Sequence, residues 1–96
     1  MSTNPSLIRV LSVDDHALLR EGIAALVNAE SDMELVAEAA DGEEAIKQFR
    51  RYRPDVTLMD LQMPNLNGIE AISRIRNEFP NANRMRREVE RLVVSR

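Results

Sequence analysis

Pro54-Asp55-Val56-Thr57-Leu58-Met59-Asp60-Leu61-Gln62-Met63-Pro64 reads as a buried strand that ends on a carboxylate. From Asp55 to Met59 the run is mostly apolar, with β-branched Val56 and Thr57, and a proline opens it. Near-continuous apolarity over so short a run suits a strand covered on both faces, as in a parallel sheet between helices. The apolar run gives way to Asp60, and Pro64, Asn65, Asn67 and Gly68 then make a turn before the next helical pattern. In open α/β sheets ligands sit at the carboxyl ends of the strands, so a carboxylate held there is placed for chemistry. The competing reading is a solvated Asp that merely ends a strand.

Around this run lies a chain of 96 residues, enough for one domain with one core. A chain of this size buries roughly 60–65% of its unfolded surface. With 44% hydrophobic and 30% charged residues the composition is that of a globular protein, and with 3% aromatics its core must be aliphatic. No cysteine is present, which excludes disulfides, thiolate zinc sites and a Cys nucleophile. No apolar run approaches the ~20 residues needed to span a bilayer, and no signal-peptide core is seen. The expectation is a cytoplasmic protein with no membrane partner. Charge is uneven. Residues 83–96 carry five arginines against Glu88 and Glu90, a balance of +3, which leaves −6 for the remainder of a chain of net charge −3. An acidic body argues against nucleic acid as a partner, and the tail arginines read as a solvated helix face.

Taken in order, residues 1–6 are polar and expected to fray. Leu7 to Val13 is a first strand, followed directly by Asp14-Asp15-His16. Leu19, Ile23, Leu26 and Val27 then fall at helical spacing, with Asp14 or Asp15 able to cap that helix. His16 reads as a surface residue of the helix rather than a ligand or base. Met33 to Ala39 is a second strand. Asp41-Gly42-Glu43-Glu44 resembles a capping box for a helix with Ala45, Ile46 and Phe49 inward and Arg50, Arg51 and Arg53 in its last turns. After the Asp60 strand, Asn67-Gly68-Ile69-Glu70 repeats the cap, Ile69, Ile72, Ile75 and Phe79 form a buried stripe, and Pro80 stops the helix. The order β-α-β-α-β-α implies a parallel sheet with right-handed connections.

If the chain reverses direction after the second strand, the first and third strands are neighbours and Asp14, Asp15 and Asp60 converge. Three carboxylates packed without a cation repel one another. A hard divalent ion such as Mg²⁺ relieves this, and the site then suits phosphoryl chemistry with one carboxylate as nucleophile. The alternative is that Asp14 and Asp15 are only helix caps.

Residues Ile8 to Pro80 resemble the first three-fifths of a two-component response-regulator receiver domain (CheY-like), closest to the LuxR/NarL type. The matching residues are Val13-Asp14-Asp15-His16, Leu19-Arg20-Glu21-Gly22, Ala40-Asp41-Gly42-Glu43-Glu44-Ala45, Pro54-Asp55-Val56, Met59-Asp60-Leu61-Gln62-Met63-Pro64 and Asn67-Gly68-Ile69-Glu70. The resemblance implies a flavodoxin-like three-layer α/β fold and phosphoryl transfer from a histidine kinase. Asp60 would be the phosphoacceptor. Asp15, Asp60 and the Gln62 main-chain carbonyl would hold Mg²⁺, with Asp14 acting through a bound water.

A complete receiver continues with a fourth strand ending in Ser or Thr and a fifth ending in Lys. Here the pattern is left after Asn81-Ala82, and the one lysine, Lys47, falls inside the second helix. Without that cation a transferred phosphoryl group loses a major stabiliser, so phosphotransfer is expected to be impaired. The expected organisation is a partial receiver over residues 7–80, with sheet order 2-1-3, and a divergent C-terminal helix over 81–96. Met85, Val89, Leu92 and Val93 sit at helical spacing. The other reading of the tail is a strand, Leu92-Val93-Val94, with Ser95 imitating the missing hydroxyl. Under the helical reading the Asp60 strand is an exposed edge, which predicts a homodimer through the third strands, the tail helices or both.

Two functions follow. One is a truncated receiver-like signalling module that meets a sensor histidine kinase or full-length receivers. The other is a structural dimerisation fragment whose acidic pocket is vestigial. An autonomous enzyme is not expected; self-phosphorylation on Asp60 is the most it would do.

Overall fold

The computed structural model describes residues 7–60, 63, 66–79 and the backbone of 93–94. Its elements in chain order are β1 (Ile8–Val13), α1 (Ala17–Asn28), β2 (Met33–Ala39), α2 (Gly42–Tyr52), β3 (Val56–Asp60), α3 (Gly68–Glu78) and β4 (Val93–Val94). The strands form one parallel sheet in the order β2-β1-β3-β4. The expected order 2-1-3 is therefore present, with β1 at its centre.

Strand alternation divides the aliphatic side chains between two layers. Leu11, Val13, Ala39 and Met59 face α2 and α3, where they pack with Ala45, Ile46, Phe49, Ala71, Ile72 and Ile75. Val10 and Val56 face α1 and pack with Val27. Phe49 and Leu11 are fully buried, each contributing about 1.5–3 kcal/mol by removal from water. Phe49 also meets Phe79, ring centre to ring centre, at 5.4 Å.

The register of β1 on β2 slips once. Val10 stands opposite Leu35 but Leu11 opposite Ala37, so Val36 is an extra residue in β2. Such a bulge reverses the inside–outside alternation of everything after it.

At the opposite end of the sheet a clasp fixes where β3 begins. The Arg9 N–H donates to Asp55 Oδ2 at 3.0 Å, and Arg9 Nη1 donates to the Arg53 carbonyl at 2.9 Å. Asp55 is thus held by its side chain, and β3 runs Val56–Asp60, one residue later than the apolar pattern suggests. Arg53, the C-cap of α2, takes a left-handed conformation (φ 45°) and lays its guanidinium 3.8 Å above the Phe79 ring.

The helix starts follow from their caps. Asp41 accepts from the Glu44 N–H at 2.8 Å, and Glu44 reaches back to the Ala40 N–H, one residue before the position a capping box uses. Asn67 accepts from the Glu70 N–H at 2.9 Å. Helix α1 differs from expectation: its N-cap is His16, whose side chain makes no cap hydrogen bond. Asp14 and Asp15 precede that N-cap position, and Asp14 Oδ1 accepts from the His16 N–H, outside the helix.

Two apolar positions assigned to buried stripes are exposed, Leu26 at 72% and Ile69 at 64%. Ile69 lies about 110° round α3 from the centre of the buried arc Ala71, Ile72 and Ile75, and Leu26 about 100° round α1 from Val27. A second covering element would be needed to bury either one, and none is present among the described residues.

The tail corrects another expectation. Val93 and Val94 are a strand beside β3, with Met59 opposite Val93 and Asp60 opposite Val94. A helix over 81–96 does not hold there, and the β3 edge is paired at Met59 and Asp60. Two consecutive β-branched residues suit this pleated position. The remainder of the helical reading, residues 81–92, lies outside the described residues, as do the expected frayed segment 1–6 and Ser95.

Candidate functional site

The site sits where β1 and β3 end. The β1–β2 ladder runs one residue past β1, the Asp14 N–H donating to the Ala39 carbonyl at 3.0 Å, so the turn after Val13 starts from a fixed point. Asp60 is the last residue of β3. Asp14 and Asp60 are buried, 2% and 1% exposed, while Asp15 and His16 face solvent. One ligand atom from each of Asp14, Asp15, His16 and Asp60 lies within 4.8 Å of the others. The three carboxylates expected to converge do so.

His16 joins them, which the sequence reading did not foresee. Its N–H donates to Asp14 Oδ1 at 2.8 Å, and its Nδ1 stands 3.3 Å from Asp14 Oδ1 and 2.9 Å from Asp15 Oδ1. The residue that looked like an ordinary surface position is the hinge between strand and helix, so its ring falls over the acids that precede it. Its adjacency to Asp14-Asp15 at the end of a strand was the available signal.

Arg20 supports the same turn. Its Nη1 donates to the Asp14 main-chain oxygen, and its Nε lies 3.3 Å from Glu38 Oε1 at the end of β2. Lys47 is elsewhere: it lies on the outer face of α2, in a groove with Glu43, Ile46, Arg50, Arg74 and Glu78. Gln62, expected to offer its carbonyl to a metal, lies outside the described residues.

The donor chemistry fits a hard cation. Three carboxylates supply oxygen only, two of them from a buried position where their mutual repulsion is poorly screened by water. The His16 nitrogen is already within hydrogen-bonding distance of two of the acids. A Mg²⁺ ion suits such a set.

Comparison with known proteins agrees with this geometry. The family model for the response regulator receiver domain matches residues 10–86. The transcriptional regulatory protein DegU of Brevibacillus brevis is 40% identical over 78 residues, which cover 81% of this chain and 33% of DegU. A two-component response regulator of the LuxR family from an Aurantimonas species has a similar structure, with a TM-score of 0.77 at 32% identity over 94% of this chain and 74% of that one. The CheY of Borrelia burgdorferi, solved in complex with CheX, BeF3 and Mg²⁺, gives a TM-score of 0.72 at 29% identity over 77% of this chain and 56% of that one. The chain spans about a third of the length of the curated relatives it matches.

Proposed function

This chain belongs to the response regulator receiver domain family, and we propose that it is a receiver-like signalling module in which Asp60 accepts a phosphoryl group beside a Mg²⁺ site. The observation that carries the reading is the convergence of Asp14, Asp15 and Asp60 at the carboxyl ends of β1 and β3. Receiver domains are generally not enzymes, and the proposed chemistry is a single modification of the chain itself.

In that step an Asp60 carboxylate oxygen attacks phosphorus. A P–O bond forms while the bond to the donor breaks, and the departing imidazole of a phosphohistidine, or acetate from acetyl phosphate, keeps the bonding electron pair. A Mg²⁺ ion held by these residues would supply charge neutralisation on the phosphoryl oxygens. Asp15 and Asp60 would hold the ion directly, Asp14 through water, and the Gln62 carbonyl would complete the set. The burial of Asp60 excludes bulk water from one side of the nucleophile. The partners of this reading are a sensor histidine kinase and other receiver domains. Lys47, on the outer face of α2 with Glu43 and Arg50, takes no part in this step.

The test is the intact mass after incubation with acetyl phosphate and Mg²⁺. One added phosphoryl group, absent in Asp60→Asn and without Mg²⁺, is expected. An unmodified chain that is folded by circular dichroism overturns the reading.

A second reading, a dimerisation fragment with a vestigial pocket, is favoured by the exposed Leu18 (82%) and Leu26 (72%) on α1. Sedimentation analysis separates it from the first: a monomer at micromolar concentration excludes it.

A further inference from the structure

The bulge at Val36 has a chemical result at the site. In a regular strand Leu35, Ala37 and Ala39 share one face and Glu38 lies on the other. Here Leu35 packs in the α1 layer with Val10 and Val56, whereas Ala37 and Ala39 pack in the opposite layer with Leu11 and Val13. The extra residue reverses the alternation, so Glu38 comes out on the α1 side, where its Oε1 meets Arg20 Nε at 3.3 Å. The other arm of that guanidinium donates to the Asp14 carbonyl. The Asp14 N–H is bonded to Ala39, the next residue of the same strand. Both main-chain polar groups of Asp14 are thereby tied to the end of β2, one directly and one through Arg20.

We infer that Arg20, held by Glu38, is a positioning residue that fixes the Asp14–Asp15 turn for divalent-cation binding. The inference rests on the Mg²⁺ reading of the pocket given above. A guanidinium beside a cation site has an electrostatic effect opposite to the one inferred: its charge repels the incoming ion. Its contribution is geometric. One rigid planar fork holds two oxygens on different elements at a fixed spacing, whereas an ammonium offers rotatable donors from a single point and fixes no such spacing. Groups that orient metal ligands from outside the coordination shell commonly govern affinity in this way.

The opposed signs make the idea testable. Mg²⁺ affinity of the whole chain is read from the chemical shifts of the Asp14, Asp15 and His16 amides during titration with MgCl2, with no phosphoryl donor present. Arg20→Lys keeps the charge and loses the fork, and is expected to weaken binding roughly tenfold. Arg20→Met is expected to weaken it at least as much, although removal of a positive charge would tighten binding if only the field mattered. Glu38→Gln weakens it too, and its effect does not add to that of Arg20→Met, because the two residues act as one unit. Val27→Ala, which loosens the packing of the same helix, leaves the affinity within about twofold. Binding by Arg20→Lys and Arg20→Met as tight as the parent's overturns the inference, and so does a Val27→Ala loss of the same size. If Arg20→Met does not fold, Arg20→Lys and Glu38→Gln still decide between these outcomes. A parent whose Mg²⁺ response survives both Asp15→Asn and Asp60→Asn overturns the receiver reading of the pocket and this inference with it. A parent that responds through those acids, with unaffected Arg20 variants, overturns the inference alone.

Discussion

The main-chain oxygen of Leu66 stands 2.3 Å from the place a β-carbon on Gly42 would occupy, and the Leu66 β-carbon 2.9 Å from it. Gly42 is the first residue of α2, so the start of that helix abuts the segment that follows β3 and Asp60. Neither contact is the far end of a flexible side chain, so the clash cannot be relieved by a rotamer change. Gly42→Ala is expected to lose about 2–3 kcal/mol through overpacking, against a helix-propensity gain of at most about 1 kcal/mol. Urea denaturation checks it, and a midpoint equal to the parent's would refute the contact.

Gly22 is the opposite case. It sits inside α1, exposed, with nothing within 4 Å of the position an added β-carbon would take. Gly22→Ala is expected to stabilise the fold by about 0.5–1 kcal/mol, by reducing the freedom of the unfolded chain. For a domain of this size, that corresponds to a rise of several degrees in melting temperature; a fall would show that the α1 surface is covered by something.

Thr57 carries a buried hydroxyl with no hydrogen-bond partner among the described residues, on the β3 face that meets α2 and α3. Thr57→Val keeps the shape and removes the polar atom. A stabilisation of about 1 kcal/mol is expected in the same denaturation experiment. Destabilisation would mean that the hydroxyl is satisfied, by an ordered water for example.

On the surface, Arg50 Nε and Nη2 donate to both carboxylate oxygens of Glu78, tying α2 to α3. Hydrogen bonding by the guanidinium holds the Glu78 carboxyl below its ordinary 4.5, and the partner Arg50 is raised in turn. A depressed carboxylate pKa contributes stability above 4.5 and loses it as pH falls through the folded value. Glu78→Gln should therefore cost a little stability at neutral pH, with the difference closing below pH 4.5 and shrinking in high salt. A difference that stays constant down to pH 3 would assign the effect to packing.

The sequence carried the layered architecture because two periods dominate it. Apolar runs bounded by Asp, Gly, Asn and Pro located β1, β2, β3 and the caps at Asp41 and Asn67. The acids at strand ends located the pocket, since a parallel sheet places those ends on one side. What stayed hidden depends on neighbours rather than on period. Helical spacing marked Leu26 and Ile69 as apolar, but only the packing shows that no described element covers them. His16 is the surface residue that was read, and only the position of its ring shows that it is also a partner of Asp14 and Asp15. Helical spacing favoured a helix for the tail over the short strand Leu92-Val93-Val94 crowded by Arg91 and Arg96, and pairing with β3 selected the strand at Val93 and Val94. The slip at Val36 left no trace in composition at all.

That slip bears on how the chain tolerates changes of length. In the turn between Asn28 and Met33, adding or removing a residue alters only exposed positions. In β2 the bulge itself supplies the tolerance: removing Val36 would let Ala37 follow Leu35 directly in the ladder, still opposite Leu11, so that Glu38 keeps the α1 side and Ala37 and Ala39 keep the side of Phe49 and Ile46. For this strand a count one residue shorter between Leu35 and Ala39 describes a regular ladder with the same faces, and a sequence aligned with a gap at Val36 keeps its counterpart of Glu38 on the side that reaches Arg20 and the acidic pocket.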